Sequence, residues 1–214
     1  MNEVVAFVAA VIALRLAGTL ARRWRVRRAP ELGAWAAALT CYALACAALA
    51  WGAAAGWDAT AFRVYYLFGG LLTAPLLGAG SLLLMRRPYV ALVAAVYAGL
   101  AAGIAIAEPL TRNVASNGIP SAHDHFDFFP SRAVALIGNT IGTLAVVGVA
   151  MLTIRRRPLG NALVLAGVAC SAVGSAFSRF GEGTTAVLLT AGVVLLYAGF
   201  DSRRLTNFSR GTQV

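Results

Sequence analysis

The chain has 214 residues, 60% of them hydrophobic and 12% charged, against about 25% charged and about 45–50% apolar in a soluble domain. A core of this size cannot bury that excess, so much of it must face lipid, and an ordinary soluble domain is excluded. The net charge of +10 comes from 18 arginines with no lysine, which excludes retinal or pyridoxal Schiff-base chemistry, since both need a lysine amine.

Apolar runs near the roughly 20 residues that a spanning helix needs occur seven times, at about 3–20, 32–55, 64–85, 89–107, 133–154, 160–178 and 184–200. They predict an all-α polytopic membrane protein: one seven-helix transmembrane domain over 1–205 and a cytoplasmic tail over 206–214. The first run lacks a basic start and an obvious cleavage site and leads directly into "RRWRVRR". It therefore reads as a span rather than a signal peptide. "RRWRVRR", "MRRPY", "IRRRP" and "DSRRLTNFSR" hold 13 of the 18 arginines. If the helices alternate, all four clusters share one side, which puts the N-terminus outside and the C-terminus in the cytoplasm. The expected location is a bacterial cytoplasmic membrane. The expected partners are the bilayer and anionic lipid headgroups at the arginine clusters, not nucleic acid.

In the first helix Arg15 lies about five residues from the cytoplasmic end, close enough for its side chain to snorkel out. Asp201, at the same end of the last helix, is its expected structural ion-pair partner. Cys41, Cys46 and Cys170 fall in apolar runs without metal-ligand spacing and read as small buried hydrophobes. Trp51 and Trp57 fit an outer aromatic belt and Trp24 and Trp35 an inner one. Tyr65, Tyr66 and Phe68 fit the outer boundary of the third helix. Pro75, two residues after Thr73, frees a carbonyl and kinks that helix. A packing kink and a cavity-lining kink are both open readings. "GAGSLLLMRRPYVALVAA" resembles "GVAMLTIRRRPLGNALVLA", and "RRAPELGAWAAAL" is a fainter copy. This is either a parallel helical-hairpin repeat or convergence on a common turn, with arginine marking the inside and proline starting the helix.

The one long connection, 108–131, faces outside and carries Pro109, Pro120 and Pro130. Within it "AHDHFDFF" places His123, Asp124, His125 and Asp127 together. In an extended loop the two histidines point the same way, and imidazole with carboxylate suits zinc or copper. The plainer reading is a solvated loop, and no cofactor is expected; zinc or copper at these residues is the alternative.

The fifth helix opens with "LIGNTIG". Gly138 and Gly142 form a small-xxx-small motif for close packing, and Asn139 and Thr140 need polar partners. Ser171, Ser175 and Ser178 share one face of the sixth helix. Asn139, Thr140, Thr73, Tyr66, Ser171 and Ser175 are the candidate ligand-binding residues, and no residue is assigned a catalytic role. No histidine lies in a span, which argues against an intramembrane bis-histidine haem. No chain of acids crosses the membrane, which argues against a proton pump of the usual kind. Ceramidase-like hydrolases also have seven helices, but this chain lacks their helical histidines.

"RVYYLFGGLLTAPLLGAGSLLL", "IGNTIGTLAVVG" and "FGEGTTAVLLTAGVVLLYAGF" resemble a group of uncharacterised actinobacterial multi-pass membrane proteins. The likeness covers most of helices three to seven and implies no activity. The seven-helix, N-out topology is shared with rhodopsins and sugar-exporting SWEET proteins, an analogy of topology alone. Three functions stay open. The first is a transporter-like protein that binds or moves a small solute or lipid. The second is a non-catalytic accessory or sensor protein. The third is an outer-face metal protein or enzyme using residues 119–132.

Overall fold

The computed structural model describes residues 2–110, 114, 119–155, 158–176 and 182–208. Among these the chain is helical and contains no strand. The elements are α1 (Asn2–Arg27), α2 (Pro30–Ala55), α3 (Ala59–Tyr65), a π-helical segment (Tyr66–Leu72), α4 (Thr73–Leu84) and α5 (Tyr89–Ala107). They continue with α6 (Ala122–His125), a turn (Phe128–Arg132) broken by extended Phe129 (φ −114, ψ 134), α7 (Ala133–Thr153), α8 (Pro158–Ala176) and α9 (Glu182–Phe208). Residues α3 to α4, with the π segment between them, form one rod.

Five helices are long and apolar enough to cross a membrane: α1, α2, the α3–α4 rod, α5, and α7 with the turn before it. α8 and α9 carry shorter apolar stretches, Pro158–Gly174 and Thr184–Gly199. Large apolar side chains face outward all round, among them Phe7, Leu92, Val96, Leu136 and Ile141. Exposure on this scale is what lipid, not water, accommodates.

Two helices outrun the apolar stretches that predict them. α1 continues past Leu20 through the arginine cluster to Arg27, because arginine is a good helix former whose head reaches out of lipid. α9 likewise runs to Phe208, into the expected tail. The α1–α2 and α4–α5 connections use one turn. Arg28 (φ 52) and Arg86 (φ 58) take the left-handed conformation that ends a helix, and Pro30 and Pro88 follow two residues later as the next helix starts. That common turn accounts locally for the likeness between "RRAPELG" and "MRRPYV". In the third copy, Arg156 and Arg157 lie outside the described residues.

α1 packs along α2, α2 along α4, α4 along α7, α8 along α9, and α9 returns to α1. α5 sits at the edge against α4 and the π segment. α4 and α7 cross backbone to backbone: a Cβ added at Gly78 would lie 2.6 Å from the Gly142 Cα. α8 and α9 interlock through Gly160, Gly167 and Gly174 on one helix and Thr185, Gly192 and Gly199 on the other. A Cβ at Gly167 would lie 2.8 Å from the Gly192 carbonyl oxygen. Both sets are seven residues apart, so one small face is kept along each helix.

Trp57 does not join an outer belt. It is buried, packed over Gly52 and edge-on to Tyr65 with ring centroids 5.5 Å apart. Asp58 fixes this by capping α3, its carboxylate accepting from the Ala61 N–H at 2.7 Å. Trp51, on the outward face of α2, stays exposed.

Candidate functional site

The α3–α4 rod is where the sequence breaks helical regularity. Pro75 has no N–H, and the Thr73 N–H already bonds five residues back, to the Phe68 carbonyl. Carbonyls in the preceding turn therefore lose helical donors. Side chains replace them. Asn139 Nδ2 of α7 donates to the Gly70 carbonyl at 2.7 Å. The Tyr97 hydroxyl of α5 lies 2.9 Å from the Leu71 carbonyl and 3.3 Å from that of Val134. Thr73 Oγ1 adds a second hydrogen bond to the Phe68 carbonyl, at 2.7 Å. The π segment is thus tied to two neighbouring helices, and π segments recur at functional sites.

Beside the π segment lies a cavity of about 450 Å³, within the range of small-molecule sites. Its walls include Tyr42, Phe62, Tyr65, Tyr66, Asn139 and Thr143. No charged side chain lines it among the described residues. Tyr42 is fixed by donating to the Leu189 carbonyl at 2.6 Å. The segment Ile119–Ala122 of the long connection covers part of it. It is held down by Phe126, which packs on Phe62 and Tyr66 with centroids 5.4 and 4.9 Å away.

The ligand-binding candidates divide. Tyr66, Thr73, Asn139 and Ser171 line this cavity together. Tyr66 is buried in it instead of lying in a boundary belt. Thr140 does not join them: it is exposed on the outward face of α7, about 100° round from Asn139. Thr143, one turn on from Asn139, takes the inward place. The side chains of Ser175 and Ser178 lie outside the described residues. Tyr42, Thr143 and the Ile119–Ala122 cover complete the set, and no sequence motif marks them as one site.

The long connection is more buried than a solvated loop. Val114, His125 and Phe126 are all buried. The histidines do not point the same way as alternate residues of an extended loop would. They sit on one helical turn, α6, with His123 exposed and His125 buried. His125 Nδ1 lies 2.9 Å from the Ser121 carbonyl, and its ring packs 5.2 Å from that of Phe62. Asp124 and Asp127 are exposed. Among the described residues no three His, Cys, Asp or Glu side chains gather as a metal set. Nearby, Arg63 caps the end of α5 by donating to the carbonyls of Ala105 and Glu108. The Glu108 carboxylate oxygens and Ser131 Oγ are buried with no hydrogen-bond partner among the described residues.

A second cavity, about 410 Å³, opens at the arginine-rich end, with Arg23, Arg27 and Glu31 in its wall. The two cavities share Leu77, Val168 and Leu196. An apolar collar from α4, α8 and α9 therefore lies between a neutral chamber, on the side expected to be outer, and a chamber with two arginines, on the side expected to be inner. Arg15 lines neither: it is exposed on the outward face of α1. α1 and α9 do pack together, but the Asp201 side chain lies outside the described residues.

No protein-family model, no curated protein and no solved structure matches the chain.

Proposed function

We propose that the protein is a seven-span integral membrane protein that binds a small neutral solute or lipid in the outer chamber and passes it through the bundle. The observation that carries this reading is the collar. Two chambers at opposite ends share Leu77, Val168 and Leu196, the arrangement an alternating pathway needs. The absence of charge from the described wall of the outer chamber selects an uncharged ligand, because a buried ion there would have no partner. Tyrosine rings, with the side-chain oxygens of Asn139, Thr73, Thr143 and Ser171 as acceptors, suit a molecule with an apolar face and a few hydrogen-bond donors. The seven-span reading takes α8 and α9 as the sixth and seventh spans, and the positive-inside bias of the arginine clusters supports a C-terminus on the cytoplasmic side of a bacterial membrane.

The test is thermal melting of the purified protein against neutral sugars, polyols and aromatic alcohols, beside a Thr143→Trp variant that fills the chamber. A ligand that raises the melting temperature of the wild type and not of the variant supports the site. If every class leaves the wild type unmoved, a non-catalytic accessory or sensor role becomes the better reading.

A further inference from the structure

The inner chamber has a chemistry of its own. Its depth, where it meets the collar, is apolar: Leu77, Val168 and Leu196 lie there, and Leu20, Trp35 and Val149 also line the chamber. The polar groups along its wall donate to one another or to backbone. Ser81 Oγ donates to the Leu77 carbonyl at 3.1 Å, and Thr153 Oγ1 to the Val149 carbonyl at 2.7 Å. Asn161 Nδ2 serves both the Ala150 carbonyl at 3.1 Å and Thr153 Oγ1 at 2.9 Å. A polar solute in that depth would find few donors. The formal charges lie on Arg23, Arg27 and Glu31, a net of +1 from two cations and one anion, all near the arginine-rich ends of α1 and α2.

We propose that this chamber binds an anionic membrane phospholipid, with one acyl chain in the apolar depth and the phosphate at Arg23 and Arg27. Charge complementarity selects the headgroup, since arginine matches phosphate geometry. The apolar wall selects a chain over a free anion. The neighbouring leaflet supplies the ligand, and its anionic headgroups lie at the depth of these arginines. The inference is independent of solute passage through the outer chamber. It describes a lipid that occupies the inner side of the collar and so bears on whether the collar opens.

The experiment is thermal melting of the whole protein in an uncharged detergent, titrated with dioleoyl phosphatidylglycerol, dioleoyl phosphatidylcholine or inorganic phosphate. Phosphatidylglycerol alone should give a saturable rise. Arg23→Gln/Arg27→Gln should weaken its apparent affinity about thirtyfold, at roughly fivefold for each arginine. Arg22→Gln/Arg25→Gln, whose side chains are exposed and outside the chamber, should leave the affinity unchanged. Val149→Trp keeps both chamber arginines but fills the depth, and should abolish the response. An equal rise with phosphatidylcholine would overturn anion recognition. A rise with phosphate alone would make this a free-anion site. An equal loss in Arg22→Gln/Arg25→Gln would reduce it to diffuse surface charge. A full response in Val149→Trp would remove the chain from the chamber. Should the variants fail to fold, the wild type decides. Trp35 lines the chamber, so acyl-brominated phosphatidylglycerol should quench tryptophan fluorescence with a saturable component that brominated phosphatidylcholine lacks. Equal quenching by both overturns the proposal.

Discussion

Asn139→Ala removes the donor that serves the Gly70 carbonyl across 2.7 Å. The cost follows from what the carbonyl can do next. In the five-residue register set by the Thr73 N–H bond to the Phe68 carbonyl, the residue that would serve the Gly70 oxygen is Pro75, which has no N–H. Leaving a buried carbonyl unpaired costs about 1–3 kcal/mol, and hydrogen bonds between membrane helices average about 0.6 with a maximum of about 1.7 kcal/mol. A loss of about 1–2 kcal/mol is therefore expected, or roughly 2–8 °C of melting temperature for a protein of this size. Pro75→Ala restores an N–H to the rod, so the same Asn139→Ala change should cost less in that background. The assay is a double-mutant cycle of melting temperature or denaturant unfolding in a mild detergent. An unchanged melting temperature for Asn139→Ala, or an equal cost in both backgrounds, would refute the claim that Asn139 replaces a donor missing because of the proline.

Other outcomes follow from the same geometry. Gly142→Leu should prevent stable folding, because even a Cβ at 142 would lie 2.6 Å from the Ala74 carbonyl carbon and 2.8 Å from the Pro75 Cα. Near-wild-type melting of that variant would refute the α4–α7 crossing. Trp57→Ala should cost about 3–5 kcal/mol as a buried aromatic removed from a core, whereas Trp51→Ala should stay within about 0.5 kcal/mol, read by the same unfolding assay. His123→Ala should leave melting unchanged and His125→Ala should lower it. Stoichiometric zinc or copper that is lost with His123 in elemental analysis would instead favour the metal reading of the loop. Glu108→Gln should raise the melting temperature at neutral pH, since it removes a buried carboxylate that has no hydrogen-bond partner among the described residues. A fall would show that the carboxylate is paired.

The sequence by itself determined what depends on local composition and on the solvent each residue must meet. Apolar length gave the helices, arginine clusters marked their ends, and proline and glycine placed the turns, because lipid forces every backbone group to be satisfied within its own segment. The Gly138–Gly142 motif announced a close approach, and Pro75 announced a broken ladder. Only the tertiary structure decided which helix came close and which side chains repaired the break. Asn139 and Thr143 face the cavity while Thr140 faces out, a choice set by the rotation of α7 when Gly142 meets Gly78. The heptad of small residues that joins α8 to α9 is hard to see in a chain so rich in alanine and glycine. Trp57 and His125 read as boundary and solvent residues, yet they are buried, because the capping of α3 and the packing of Phe126 on Phe62 turn them inward. The collar of Leu77, Val168 and Leu196 has no local signal at all. Three ordinary apolar residues on three helices become a barrier only where their helices converge.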